Sequence, residues 1–324
     1  MPKAIVVEKT GSPSVLKWRD VEVGRPGKGE VTVRAKAIGV NFIDIYMRSG
    51  LYPMQLPFIP GGEMCGEIEA VGAGVSGFKI GDRVACGTVG TGCYTELRNI
   101  DAGKLVKVPR EISDDVAASM MLQGMTAQFL IRQVYKVSKG DTILIHAAAG
   151  GVGLIVCQWA KALGATVIGT VGSPAKARLA KAHGCDYPII YSRENFVDRV
   201  RKITKGEMVP VVYDSIGKAT WPASLDCLQK HGMFVSFGNA SGPIGDINPL
   251  ILMQKGSLVM TRPTLFDFVS TPAELQKTAG EVMKMVRSGA VKIEVNHKYS
   301  LREAARAHRD LAARKTTGSI VLEP

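Results

Sequence analysis

The sequence predicts an α/β protein in two parts, a β-rich N-terminal domain shaped as a small barrel or sandwich and a doubly wound parallel sheet after it. Three observations carry this prediction. Short apolar runs broken by glycine crowd the first third of the chain, as in Gly61–Gly72 and Gly81–Gly87, a density that suits a small antiparallel domain rather than α/β units. From about Met125 the texture changes to alternating strand-like and helix-like segments, the pattern of parallel strands joined by crossover helices. Between Asp141 and Gly164 an apolar run breaks at paired glycines and enters a helix that is apolar nearly all round, apart from Gln158 and Lys161. Such a helix belongs buried against a sheet.

Taken in order, the chain enters a strand at once near Lys3, and Val15–Trp18 and Glu30–Val40 are further strand candidates, the second with alternation. Asn41–Pro53 mixes Asn, Asp, Arg and two tyrosines in a loop-to-helix setting. It reads equally as a capped short helix with tyrosines packed on the barrel or as a polar cluster beside a pocket. Ser113-Asp114-Asp115 opens a helix with an N-cap and early acidic charge. After Met125 six strands are expected, at Asp141–His146, Thr166–Val171, Pro188–Tyr191, Pro210–Asp214, Met233–Asn239 and Ser257–Thr261. The helices between them include Lys176–His183, Glu194–Thr204 and Trp221–Lys230. Two helices, Pro272–Gly289 and Leu301–Arg314, then flank a strand at Val291–Val295, and a β-type tail closes the chain at Gly318–Leu322. The domains expected are 1–124, 125–265, and a segment 266–324 that packs back on the first.

The Asp141–Gly164 stretch carries chemistry. Against the pattern G-x-G-x-x-G, Gly150 and Gly153 fill the second and third places and Ala148 stands in the first. Glycine lets a pyrophosphate approach the backbone, and a helix N-terminus adds unpaired N–H groups. A dinucleotide fold reads the ribose about 20 residues further on, with Asp or Glu where the 2′-hydroxyl is bare. Here the second strand ends in Gly172-Ser173-Pro174-Ala175-Lys176. With no carboxylate and a lysine one turn into the next helix, the position suits a 2′-phosphate, so NADPH is expected over NADH. Ligands of such a sheet sit beyond the C-terminal strand ends, which places Gly150, Ser173, Tyr191, Ser215 and Phe237 along one edge.

Composition narrows the class. The 46% hydrophobic and 22% charged content is that of an ordinary globular protein, and no apolar run reaches membrane-spanning length. A cytoplasmic protein is expected. Net charge is +12, but Lys and Arg are spread without runs of five or more, so a solvated basic surface is the simpler account. The six cysteines, Cys65, Cys86, Cys93, Cys157, Cys185 and Cys227, fall mostly in apolar stretches and read as buried free thiols.

Several strings occur in a fixed order: Asn41-Phe42-Ile43-Asp44, Arg48–Pro53, His146–Gly153 with Cys157–Lys161, Val212–Ser215, Val235–Gly242 and Gln254–Ser257. On them the chain resembles, over essentially its whole length, the quinone oxidoreductase (zeta-crystallin-like) family of the medium-chain dehydrogenase/reductase superfamily, and its bacterial members most. The resemblance implies a GroES-like β-barrel catalytic domain, a Rossmann cofactor domain and NADPH-dependent reduction of a quinone. It also implies residue roles. Gly150, Gly151 and Val152 would face the pyrophosphate, and Ser173, Lys176 and Tyr191 the 2′-phosphate. Ser215, Phe237, Gly238 and Asn239 would line the nicotinamide side, with Thr126 and Arg314 adding contacts. Asn41, Asp44, Tyr46, Tyr52 and Arg262 would surround the quinone. A homodimer joined near Ser257–Thr261 is implied as well. Relatives carry lysine at the place of Gln123, so any role of that lysine is absent here.

Zinc enzymes of the same superfamily use Cys and His ligands. Here Gly62-Glu63 stands where those read His-Glu, Asn41 stands where a Cys would be expected, and no C-x-x-C occurs. His146, His183, His231, His297 and His308 lack ligand spacing and read as structural or exposed. No metal site is expected. An alcohol needs a Lewis acid to stabilise its alkoxide, whereas a quinone already accepts electrons well. The nearest rival is an NADPH-dependent enone or 2-alkenal reductase. A single-stranded nucleic-acid-binding or structural crystallin-like role lacks the aromatic-interleaved basic stripe it would need.

Overall fold

The structure, a computed structural model, describes residues 1–324. The chain opens with β1 (Lys3–Val7), β2 (Leu16–Asp20), β3 (Glu30–Val40), α1 (Phe42–Ser49), β4 (Met64–Val71), β5 (Arg83–Cys86), β6 (Leu97–Asp101), β7 (Val106–Lys107) and α2 (Asp114–Phe129). It continues through β8 (Thr142–Ile145), α3 (Gly151–Ala162), β9 (Thr166–Val171), α4 (Pro174–Ala182), β10 (Tyr187–Ile190), α5 (Phe196–Ile203), β11 (Val209–Asp214), β12 (Leu228–Ser236), α6 (Leu250–Gln254), β13 (Val259–Thr261) and α7 (Leu265–Phe268). It closes with α8 (Pro272–Arg287), β14 (Val295–Ser300), α9 (Ala304–Ala312) and β15 (Ser319–Glu323). Two compact units divide it. One comprises Met1–Met125, Val269–Arg287 and Ile293–Pro324, the other Thr126–Phe268 and Ser288–Lys292. No helix is long and apolar enough to cross a membrane.

The first unit is built on β3. Its alternation sends Val31, Val33, Ala35 and Ala37 inward and leaves Arg34 and Lys36 exposed, the expected pattern of a strand with one wet face. This strand pairs with β4, β6 and β15 along its length, inside a seven-stranded sheet ordered β14-β15-β3-β4-β5-β7 with β6 beside β3. Two register irregularities against β4 interrupt the ladder, which bends a sheet and increases its twist. A core including Ile5, Val33, Ile38, Met64, Tyr94, Leu105 and Leu322 fills the inside. Helix α1 starts at Asn41, whose backbone N–H donates to the Asp44 carboxylate at 2.8 Å, and stops at Gly50 with a φ of 86°, a left-handed end that glycine adopts at no steric cost.

The second unit holds six parallel strands ordered β10-β9-β8-β11-β12-β13. Chain order runs outward in both directions from β8 and β11, so the topological switch lies between those two strands. Leu144, Ile168, Ile189, Val212 and Phe234 supply its core.

Two expectations need correction. The region Trp221–Lys230 is not a helix: one turn of 3₁₀ helix covers Ala223–Cys227, and β12 begins at Leu228. Leu228 is captured by Val209 of β11 before the register shifts to Val211 against Met233, and His231 takes a φ of 61° in the bulge between. The last inner strand lies at Val295–Ser300, not Val291–Val295. The reason is Gln158, one of the two polar residues on the otherwise apolar α3. Its side-chain amide donates to the Lys292 carbonyl at 3.0 Å and accepts from the Lys292 N–H at 2.8 Å, so a side chain takes the place a neighbouring strand would fill. Helix α2 runs through Gly124 to Phe129.

Replacing Gln158 with Ala removes both bonds to Lys292. At about 0.5–1.5 kcal/mol each, the loss should lower unfolding free energy by about 1–3 kcal/mol in a urea titration. An unchanged midpoint would show that the bonds do not anchor Ser288–Lys292.

Candidate active site

In the second unit the functional edge is the row of loops that follow the strands. After β8 the chain passes through Ala147, held at a φ of 55°, to Gly150, the N-cap of α3, which no side chain caps. A Cβ at Gly153 would be driven into the Ala147 carbonyl oxygen, so only glycine fits there. Ala148, standing at the usual first glycine of the motif, is fully buried, and Gly169 of β9 makes room for its methyl group. The pattern is therefore completed across two strands. Gly151 and Val152 form the partly open first turn of α3, whose backbone N–H groups lack partners within the helix.

Beyond β9, Ser173 caps α4 by accepting from the Lys176 N–H at 3.3 Å. Tyr191 follows β10, takes a backbone bond from its N–H to the Val171 carbonyl, and sets its hydroxyl over Gly172. Ser173, Lys176 and Tyr191 thus meet at the ends of adjacent strands with no acidic residue among them. Beyond β11 and β12, two loops interlock through Phe237 N–H to Asp214 O and Ala240 N–H to Ser215 O. Ser215, Phe237 and Asn239 are half-buried there and Gly238 buried. Thr126 is half-buried in α2, and Arg262 is exposed directly after β13. Arg314 belongs to the first unit, exposed after α9 with a φ of 58°.

A buried polar network holds these loops. The Asp214 carboxylate accepts from the N–H groups of Ile216 and Gly217 and from the hydroxyls of Thr220 and Ser224. The Ser224 oxygen lies 2.9 Å from His146 Nε2, and His146 Nδ1 lies 2.8 Å from the Thr170 hydroxyl. The Ser224 hydroxyl has Asp214 and the Thr220 carbonyl as acceptors, each at 3.1 Å; with its hydrogen on either, a neutral His146 donates from Nε2 and accepts at Nδ1 from Thr170. Burial lowers the His146 pKa against the pull of Asp214, consistent with a neutral ring. Asp214, Thr170 and Ser224 escaped the sequence reading, because nothing local links residues 78 apart.

In the first unit a second network fixes Asn41. Its side-chain N–H donates to Glu63 at 2.8 Å, and its oxygen accepts from Gln123 at 3.0 Å. Glu63 also accepts from the Leu122 N–H, and Gln123 accepts from Ser319. Gln123 is thus a neutral link in this chain. Tyr46 and Tyr52 face each other with ring centroids 5.2 Å apart, Tyr46 buried and Tyr52 partly open. Asp44 is fully buried: its carboxylate accepts from Asn41 N–H and the Tyr94 hydroxyl, and Tyr94 contacts His308 Nε2. Burial pushes Asp44 up to about 7 and Glu63 to about 8 against the bonds they accept, and, with Arg48 adding to it, pushes His308 down to about 3.

No three His, Cys, Asp or Glu side chains converge as metal ligands, and Glu63 is committed to Asn41 and Leu122. These residues do not fit a zinc ion. The dinucleotide site fits better, since the Gly153 cradle and the carboxylate-free end of β9 are both present.

A bent β domain and a Rossmann sheet with this turn, in one chain, define a medium-chain dehydrogenase/reductase. Two family profiles match, one described as an alcohol dehydrogenase GroES-like domain over residues 27–110 and one as a zinc-binding dehydrogenase over 151–283. A quinone oxidoreductase of Pseudomonas aeruginosa is 54% identical over 100% of both chains. The crystal structure of Escherichia coli quinone oxidoreductase complexed with NADPH superposes with a TM-score of 0.98 at 46% identity, covering 99% of this chain and 100% of that one. A 2-haloacrylate reductase of Burkholderia is 45% identical over 100% of this chain and 99% of its own. The chain belongs to the quinone oxidoreductase family.

Two predictions test the site. Gly153→Ala should weaken dinucleotide binding by about tenfold or more, or 1.4 kcal/mol and upward, in a fluorescence titration; unchanged affinity would refute the cradle. A raised carboxylate pKa gives stability that is present at acidic pH and lost as pH rises through the folded value. Stability should therefore fall from the ordinary carboxylate range up to about pH 8 as Asp44 and Glu63 ionise. In Glu63→Gln the thermal midpoint should fall less steeply over that range, and an unaltered slope would count against a buried, neutral Glu63.

Proposed function

We propose that this protein reduces quinones with NADPH and needs no metal to do so. The observation that carries this reading is the full-length likeness to quinone oxidoreductases, one of them solved with NADPH, in a chain whose β9 terminus offers Ser173 and Lys176 where a carboxylate would repel a 2′-phosphate. Gly150, Gly151 and Val152 would hold the pyrophosphate, Ser173, Lys176 and Tyr191 the 2′-phosphate, and Ser215, Phe237, Gly238 and Asn239 the nicotinamide side, with Thr126 and Arg314 as further contacts. NADPH, when bound there, supplies a hydride.

The chain's own part is to place the acceptor, exclude water and stabilise the developing phenolate. Tyr52, partly open, offers a ring face for a flat quinone, with Tyr46 buried against it. The Tyr52 hydroxyl and Arg262 are candidate donors to quinone oxygens. Asn41 has one amide hydrogen committed to Glu63 and one left for a substrate oxygen. Asp44, buried beneath it, acts as a positioning residue through the Asn41 backbone. A homodimer is proposed through β13, the edge strand, where Val259 is exposed and Leu250 and Met253 of α6 are bare; a cytoplasmic setting fits the free thiols.

A second reading has its own support. The 45% identical 2-haloacrylate reductase favours hydride delivery to carbon of an activated alkene, and formation of a saturated product from a small enone would establish it. For the first reading, initial rates should be much higher with NADPH than NADH, and Lys176→Ala should raise the Michaelis constant for NADPH roughly tenfold with little change for NADH. Equal effects on both cofactors would remove Lys176 from the phosphate site. Tyr52→Phe should leave NADPH affinity intact and change turnover modestly; loss of cofactor binding would sink its assignment to the quinone.

A further inference from the structure

Cys86 ends β5 and Cys93 follows it across a six-residue loop, Gly87–Gly92, that contains three glycines. Both thiols are buried, and their sulfurs lie 3.8 Å apart. Both ends of the loop are tied to the same segment. Cys86 pairs with Met64 of β4, and the Cys93 N–H donates to the Gly61 carbonyl. A third group completes the arrangement. Arg98 directs Nη1 to the Thr91 carbonyl at 2.7 Å and to the Cys93 sulfur at 3.5 Å. The guanidinium reaches that position because residue 92 is glycine; a Cβ there would stand 2.7 Å from Arg98 Nη1. The four other cysteines lie outside this loop.

The two sulfurs are not equivalent. Burial opposes ionisation of Cys93, but the Cys86 thiol and the Arg98 guanidinium outweigh it and hold Cys93 below the ordinary thiol range. Cys86 is pushed well up, first by its bond to Cys93 and then by burial. A thiol whose ionisation is favoured beside one whose ionisation is opposed, with a cation behind the first at 3.5 Å, is the arrangement of an attacking and a resolving cysteine.

We propose that Cys86 and Cys93 are a redox dithiol that hydrogen peroxide converts into an intramolecular disulfide. The Cys93 thiolate attacks the peroxide O–O bond; an S–O bond forms, the O–O bond breaks, and hydroxide leaves to be protonated to water. Cys86 then attacks the Cys93 sulfur. The S–S bond forms, the S–O bond breaks, and the departing hydroxide takes the Cys86 proton as a second water. Two thiols lose two electrons and the peroxide gains them. The sulfurs must close from 3.8 Å to about 2.0 Å, a movement of side-chain rotation within a glycine-flanked loop. Local opening of that loop admits the oxidant. The disulfide stops the oxidation of Cys93 before the irreversible sulfinic acid.

The test uses the wild-type protein. Trypsin releases residues 84–98 as one peptide with both cysteines and no internal Lys or Arg. After brief hydrogen peroxide treatment, quenching and alkylation, this peptide is expected lighter by two hydrogens and unalkylated, and dithiothreitol should restore two alkylatable thiols. In Arg98→Gln, where trypsin releases residues 84–104 instead, disulfide formation should slow several-fold, and Cys93→Ser should leave Cys86 fully alkylatable. Recovery of the peptide with both thiols alkylated, with a sulfinic acid at Cys93, or with a disulfide formed elsewhere while this dithiol stays intact would overturn the proposal.

Discussion

The β8–α3 turn has no room for a side chain at Gly153, and the functional edge of the second unit is arranged around that contact. Because the Ala147 carbonyl presses on residue 153, α3 begins close under the sheet and its first N–H groups emerge at the switch between β8 and β11, where doubly wound sheets bind their ligands. The same closeness forces a compensation. Ala148 brings a methyl group where the motif usually has none, and glycine at 169 on the next strand absorbs it. The binding turn is thus a property of two strands rather than of one glycine string.

Each unit backs its functional residues with a buried polar network whose members satisfy one another. In the second unit, Asp214 gathers four donors and, through Ser224, His146 and Thr170, links the loops after β8 and β11 to the end of β9. In the first, Glu63, Gln123 and Ser319 leave the Asn41 amide one orientation. Such networks are costly when half-satisfied and rigid when complete. Rigidity suits a hydride transfer in which the protein contributes mainly position. In this chain Gln123 both donates to Asn41 and accepts from Ser319, which an ammonium could not do.

Much of this was legible in the residues. The change of texture near Met125, the six strands and the missing carboxylate after β9 follow from local pattern alone. Legibility failed where a distant partner decides. Gln158 stood out as polar on an apolar helix, yet its partner Lys292 lies 134 residues on, so the segment it holds read as a strand. Trp221–Lys230 has helical spacing, but pairing of Leu228 with Val209 prevailed. Asp44 shares a polar string with Asn41; only burial shows that it faces Tyr94 and the helix start. Cys86 and Cys93 read as two scattered thiols, since nothing in their spacing reveals the loop that brings the sulfurs together.

The most direct test of the central claim is a single-turnover experiment on the purified protein loaded with one equivalent of NADPH. The account predicts that cofactor absorbance is stable until a simple quinone is added and then decays with stoichiometric hydroquinone formation, while NADH at the same concentration barely binds. Tight NADH binding, or bound NADPH that persists after quinone addition, would contradict it.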